Sequence, residues 1–106
     1  MRRRKASQPT MGILDLRAQF SSPQVQITSG AKAAFEESGE PPAKYLDRHF
    51  SGDFGEVDPG DAALNQEAIT NNGMVMSIYR LSTGVRFYII TDQGHEITTL
   101  LLPEEY

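Results

Sequence analysis

His49, Arg80 and Arg86 come nearest, among 106 residues, to a set whose types could do chemistry. An imidazole acts as a general base near neutral pH, and two guanidinium groups hold a phosphodiester and the charge that develops on it. With a hydroxyl from Tyr79, Tyr88 or Thr98 to assist, these residues would make a small metal-independent ribonuclease-like hydrolase. A second chemistry uses the arginines alone, as an anion site for a phosphate or a partner's carboxylate. The structural explanations are simpler. A histidine in a last helical turn is favoured by the helix dipole, and Asp53 is close enough in sequence to hold its ring. The arginines need only a carboxylate of their own chain, for which Glu96, Glu104, Glu105 and Asp53 are the candidates.

Other chemistries are excluded by composition. There is no cysteine, which removes disulfides, thiolate metal sites and cysteine nucleophiles. His49 and His95 are the only imidazoles, so no metal site is expected. Ser51-Gly52-Asp53-Phe54-Gly55 lacks the Lys-Ser/Thr of a phosphate loop and does not follow a strand pattern, so no nucleotide cofactor is expected.

The elements that position these residues follow from periodicity and punctuation. Val25-Gln26-Ile27 alternates as a short strand. Thr28 or Ser29 then caps a helix to about Ser38, with Ala31, Ala34 and Phe35 on one face and Gly39 as its stop. Pro41-Pro42 opens a second short helix, Ala43 to about Phe50, which turns Tyr45, Leu46, His49 and Phe50 inward. Asp58-Pro59-Gly60-Asp61 starts a third, running to about Asn71 and ending at Asn72-Gly73, with a thin apolar face of Ala63, Leu64, Ala68 and Ile69. From Met74 the pattern changes to three apolar runs, separated by Ser82-Thr83-Gly84 and Asp92-Gln93-Gly94. Both connections read as three-residue hairpin loops closed by glycine.

That loop chemistry predicts a register. Leu81 faces Val85, and Thr91 faces His95. Val75, Ser77, Tyr79 and Leu81 then share the core face with Val85, Phe87, Ile89, Ile97, Thr99 and Leu101. The opposite, mixed face collects Arg80 with Arg86 and Leu100, Ile78 with Tyr88 and Thr98, and Met76 with Ile90 and Glu96. Arg80 directly opposite Arg86 places like charges in contact, which something must offset.

With 39% hydrophobic and 23% charged residues, the chain has the composition of one soluble globular domain. Residues 1–12 read as a disordered basic extension and 13–106 as a single α+β domain: about three short helices packed on a three- to four-stranded antiparallel meander formed by the C-terminal third. Ile13, Leu14, Leu16 and Phe20 show no clean period. Arg2, Arg3, Arg4 and Lys5 supply four positive charges, so the rest of the chain carries −8 against a net −4. Such a body repels a phosphate backbone, and nucleic acid is expected only at a local basic patch or at residues 2–5. No apolar run approaches a membrane span, which favours a cytoplasmic setting without membrane contact.

Arg48-His49-Phe50-Ser51-Gly52-Asp53-Phe54-Gly55, with Tyr79-Arg80-Leu81, Ile89-Ile90-Thr91 and the ending Thr98 to Tyr106, resembles a family of small uncharacterised bacterial proteins. Its members, often encoded on plasmids and other mobile DNA, carry an RHxxGDWG motif and an LLPEEY end. The match spans roughly residues 25–106. It departs at Phe54, where the family has Trp, and at Gly94-His95, where it has an Asp-Arg pair. The resemblance implies a bacterial cytosolic setting and does not imply an activity.

The expectation is therefore a non-enzymatic accessory protein of bacterial mobile DNA that binds a macromolecular partner, a protein. Arg48, His49, Asp53, Phe54, Arg80 and Arg86 are the candidate binding residues. Homodimerisation through the mixed sheet face is the further alternative, and the hydrolase reading keeps His49, Arg80, Arg86, Tyr88 and Thr98 as its catalytic candidates.

Overall fold

A computed structural model describes residues 22–106. The N-terminal extension, and the apolar residues Ile13 to Phe20, lie outside the described residues. The order is β1 (Gln24–Ile27), α1 (Ser29–Ser38), α2 (Pro42–Phe50), α3 (Pro59–Asn71), β2 (Val75–Arg80), β3 (Arg86–Thr91) and β4 (Ile97–Leu101), closed by a 3₁₀ turn at Pro103–Glu105. This is an α+β fold: three helices and a four-stranded sheet in the order β1-β4-β3-β2. The meander is antiparallel, whereas β1 joins it parallel to β4, with Val25 beside Thr98 and Ile27 beside Leu100.

The helix boundaries follow local chemistry. Thr28 caps α1 by accepting from the Ala31 N–H, and Gly39 ends it at φ 74°. Asp58 caps α3 by accepting from the Asp61 N–H, and Asn72 ends it at φ 67°. Tyr45, His49 and Phe50 of α2 are buried as the spacing requires. In α3 the buried residues are Asn65, Ala68 and Ile69, while Leu64 is exposed, so the inward face is rotated from the one expected.

The hydrophobic core lies between the helices and one sheet face. Phe35, Tyr45, Tyr79 and Phe87 meet edge-on or tilted, at centroid separations of 4.8 to 5.9 Å, around Ile89 and Leu100. A second cluster joins Phe50 and Phe54 to Ala68, Ile69 and Val75.

The first hairpin has the expected register, with Arg80 opposite Arg86 and the Leu81 N–H donating to the Val85 carbonyl at 2.8 Å. The second does not. Thr91 pairs with Thr98, three residues beyond His95. An odd shift inverts a strand, so Thr98 and Leu100 face the helices and are buried, while Ile97, Thr99 and Leu101 lie on the back. The cause is tertiary. The Gly94 N–H donates to the Asn72 carbonyl (2.9 Å), and His95, in left-handed backbone at φ 57°, sets Nε2 against the Gly73 carbonyl (2.8 Å). These bonds to the α3–β2 corner hold the loop open as far as the Asp92–Ile97 pair.

Candidate functional site

His49 is fully buried under the sheet. Its Nδ1 lies 2.6 Å from Ser77 Oγ and its Nε2 2.9 Å from Thr91 Oγ1. Thr91 Oγ1 is 2.7 Å from Thr98 Oγ1, which in turn bonds to Ser22 Oγ. A neutral imidazole offers one donor and one acceptor, so the chain Ser77–His49–Thr91–Thr98–Ser22 is satisfied without a proton being added. Burial, reinforced by the nearby His95, pushes the His49 pKa down to about 3. The ring is thus a neutral strut, and Asp53, expected as its partner, serves Arg48 instead.

The Arg48–Asp53 pair builds the loop after α2. Arg48 Nε donates to Asp53 Oδ2 at 2.7 Å and Nη2 to Oδ1 at 3.3 Å, which holds the carboxyl pKa below its usual range. The guanidinium also covers the Tyr79 ring at 4.7 Å, and Tyr79 donates its hydroxyl to the Asp53 carbonyl at 2.6 Å. Asp53 then turns the chain by accepting from the Gly55 N–H. At Gly55, φ is 73°, and a Cβ there would lie 2.0 Å from the Ile78 carbonyl oxygen, so only glycine fits. Phe54 is buried in the second core cluster rather than presented for binding.

This loop and α3 finish the outer edge of β2. Ile78 donates to the Phe54 carbonyl (3.0 Å) and accepts from the Glu56 N–H (2.7 Å). The Asn65 amide donates to the Met76 carbonyl (2.8 Å) and accepts from the Met76 N–H (3.1 Å). An edge that would otherwise template another strand is closed by the chain itself.

Arg80 and Arg86 are half-exposed on the sheet's back, and their counter-ion is Glu56, a residue absent from the expected candidates. Arg80 reaches both of its oxygens, Nε at 3.2 Å and Nη2 at 3.3 Å, while Arg86 Nε approaches only to 3.9 Å. Glu56 was hidden from the sequence because the bridge of Gly55 to Ile78, not strand pairing, brings it there. Tyr88 shares this face but packs edge-on against Tyr106 at 5.9 Å. Thr98 does not share it, belonging to the buried His49 chain. The sheet therefore divides the proposed catalytic set, with His49 and Thr98 on the helix side and Arg80, Arg86 and Tyr88 on the back.

The terminal motif is also structural. Glu105 accepts from the Leu102 N–H (2.9 Å), the Gly30 N–H (3.1 Å) and the Thr28 hydroxyl, locking the C-terminus to the start of α1. Thr28 first, then the backbone N–H groups, lower its pKa. Among the described residues no group of three or more His, Asp or Glu side chains is placed to hold a metal, and no helix is long and apolar enough to cross a membrane. Among the described residues the surface carries concavities. One of about 520 Å³ runs between Ile27, Phe35 and Pro41-Pro42, and one of about 280 Å³ lies between α3 and the back of β2.

No family model, curated protein or solved structure matches this chain.

Proposed function

We propose that this is a small non-enzymatic accessory protein that acts by binding a protein partner, in the bacterial mobile-DNA setting that the resemblance of its two motifs implies. One observation carries the reading: the residues that could do chemistry are consumed in holding the fold. His49 is dry and neutral, Asp53 is bound by Arg48, and Glu105 is bound to the start of α1. What remains outward is charge and apolar surface. Of the described cations, Lys44, Arg48, Arg80 and Arg86 all have carboxylate neighbours, while residues 22–106 carry −8, because Asp15 and Arg17 cancel in the stretch before them. An acidic surface of this kind favours protein over nucleic acid.

The test is affinity capture from bacterial lysate with the intact chain, followed by titration calorimetry with the purified captured protein. Stoichiometric binding is expected. Failure to recover any saturable partner would overturn the reading. So would cleavage of labelled RNA by the pure protein that is abolished by both His49→Ala and Arg86→Ala, the result the hydrolase alternative requires.

A further inference from the structure

The two edges of the sheet are finished differently. The outer edge of β2 is sealed by the chain itself, through the Gly55–Ile78 bridge and the Asn65 amide on Met76. At the other edge, β1 is the outermost strand among the described residues. The Gln24 N–H donates to the Glu96 carbonyl and the Thr28 N–H to the Leu100 carbonyl, so alternation turns the N–H and C=O groups of Val25 and Ile27 away from β4. All four residues of Gln24–Ile27 are exposed, and none is a proline or carries a charge, the devices that ordinarily blunt a bare edge.

Val25 and Ile27 stand beside Thr98 and Leu100 and so face the helix side, yet they are 48% and 38% exposed. The concavity of about 520 Å³ begins at Ile27 and runs to Phe35 and Pro41-Pro42. Among the described residues β1, α1 and the α1–α2 turn line it and β4 does not, which puts it on the open side of the strand. Gln24 and Gln26 occupy the back face. A strand added here meets outward amides and, beside Ile27, an apolar recess.

We propose that this edge pairs with β1 of a second copy of the chain, antiparallel about a twofold axis at Gln26. The outward groups lie on the residues to either side of Gln26, so the axis sets Val25 against Ile27 of the second copy and Ile27 against its Val25. Each of these pairs exchanges two hydrogen bonds, which matches every outward N–H and C=O of both strands. On the helix side valine meets isoleucine, and Val25 of the second copy stands at the recess beside Ile27. On the back the two Gln26 amides meet across the axis, where a charged side chain would have faced its own like. The strand is thus complementary to itself, as a twofold contact requires. Both copies are acidic, so salt tightens the contact by screening their repulsion. The contact goes beyond the protein-partner reading above and does not depend on it.

A strand of this length makes a small interface, so sedimentation equilibrium of the intact chain is run up to about 1 mM. A monomer–dimer equilibrium that tightens with salt is expected. The chain has no cysteine, so single-cysteine variants report one position each. Two residues 26 face each other with Cα atoms about 4.5 Å apart, within disulfide reach, whereas two residues 24 lie more than about 13 Å apart. In a glutathione redox buffer Gln26→Cys should therefore form a covalent dimer about tenfold faster than Gln24→Cys. Gln26 is exposed, so Gln26→Lys and Gln26→Glu should melt like wild type. Each should weaken self-association about fivefold, and an equimolar mixture of the two should form the mixed dimer. A monomer at every concentration, equal cross-linking rates at 24 and 26, or charge variants that associate like wild type would overturn the proposal. So would Val25 and Ile27 amides protected from hydrogen exchange at all protein concentrations, since the edge would then be covered from within the chain.

Discussion

Ser77 and Arg80 stand three residues apart on β2 and so point to opposite faces of the sheet: Ser77 holds His49 beneath it, and Arg80 meets Arg86 and Glu56 on the back. The two halves should therefore respond differently to mutation. Removing the buried imzidazole in His49→Ala opens a cavity and strands the Ser77 and Thr91 hydroxyls, at a cost of about 3 kcal/mol or more. Arg86→Ala loses only a long exposed ion pair and relieves a like-charge contact, so its effect stays within about 1 kcal/mol. Urea unfolding of the two variants at neutral pH checks the contrast.

Acid should act through His49. Its folded pKa, about 3, lies below its ordinary 6.5, so between these values the unfolded chain binds the extra proton. The stability this group confers is whole above pH 6.5 and declines as pH falls toward 3, by at most about 1.4 kcal/mol per unit. His49→Gln, which keeps a donor and an acceptor, should be less stable at pH 7 but flatter in this window. Urea midpoints at pH 7, 5.5 and 4 measure both slopes.

Among the described residues the Asn65 amide alone meets the outward N–H and C=O of Met76, so Asn65→Leu leaves a donor and an acceptor unmatched under α3. A loss of about 2 kcal/mol is expected, with accelerated hydrogen exchange at the Met76 amide while core amides such as Ile89 exchange only through global unfolding. An unchanged Met76 amide would mean that the edge is closed by something else.

Two glycines in left-handed backbone separate strain from collision. At Gly84, φ is 93° and nothing lies within 4 Å of an added Cβ, so Gly84→Ala should cost about 1 kcal/mol of backbone strain. Gly55→Ala adds the collision with the Ile78 carbonyl and should cost more than about 3 kcal/mol. Thermal denaturation of the pair orders them.

These cases show where the sequence was readable. Helix caps at Thr28 and Asp58, the stop at Gly39 and the first hairpin depend on neighbours within a few residues, and each lies where its local chemistry directs. The register of β4 depends on Asn72 and Gly73, some twenty residues before the loop they hold, so turn chemistry alone misplaced it by three and sent Thr98 to the wrong face. Asn65 was unreadable for a related reason. A polar residue on a helix reads as solvated, and only the β2 edge beside it makes burial favourable. Arg80 opposite Arg86 was legible from one short loop, whereas Glu56 was not, since no pattern announces the Gly55–Ile78 bridge. His49 was correctly turned inward by helical spacing, but its hydroxyl partners come from two strands whose faces had first to be known.

The central claim, that His49 is a sealed structural group and not a base, is tested most directly by following its ring nitrogens by ¹⁵N NMR from pH 8 to pH 4.5, with and without a short RNA oligonucleotide. The account predicts a neutral ring with a single tautomer throughout, insensitive to RNA. Titration near pH 6.5, or a ring that responds to RNA, would contradict it.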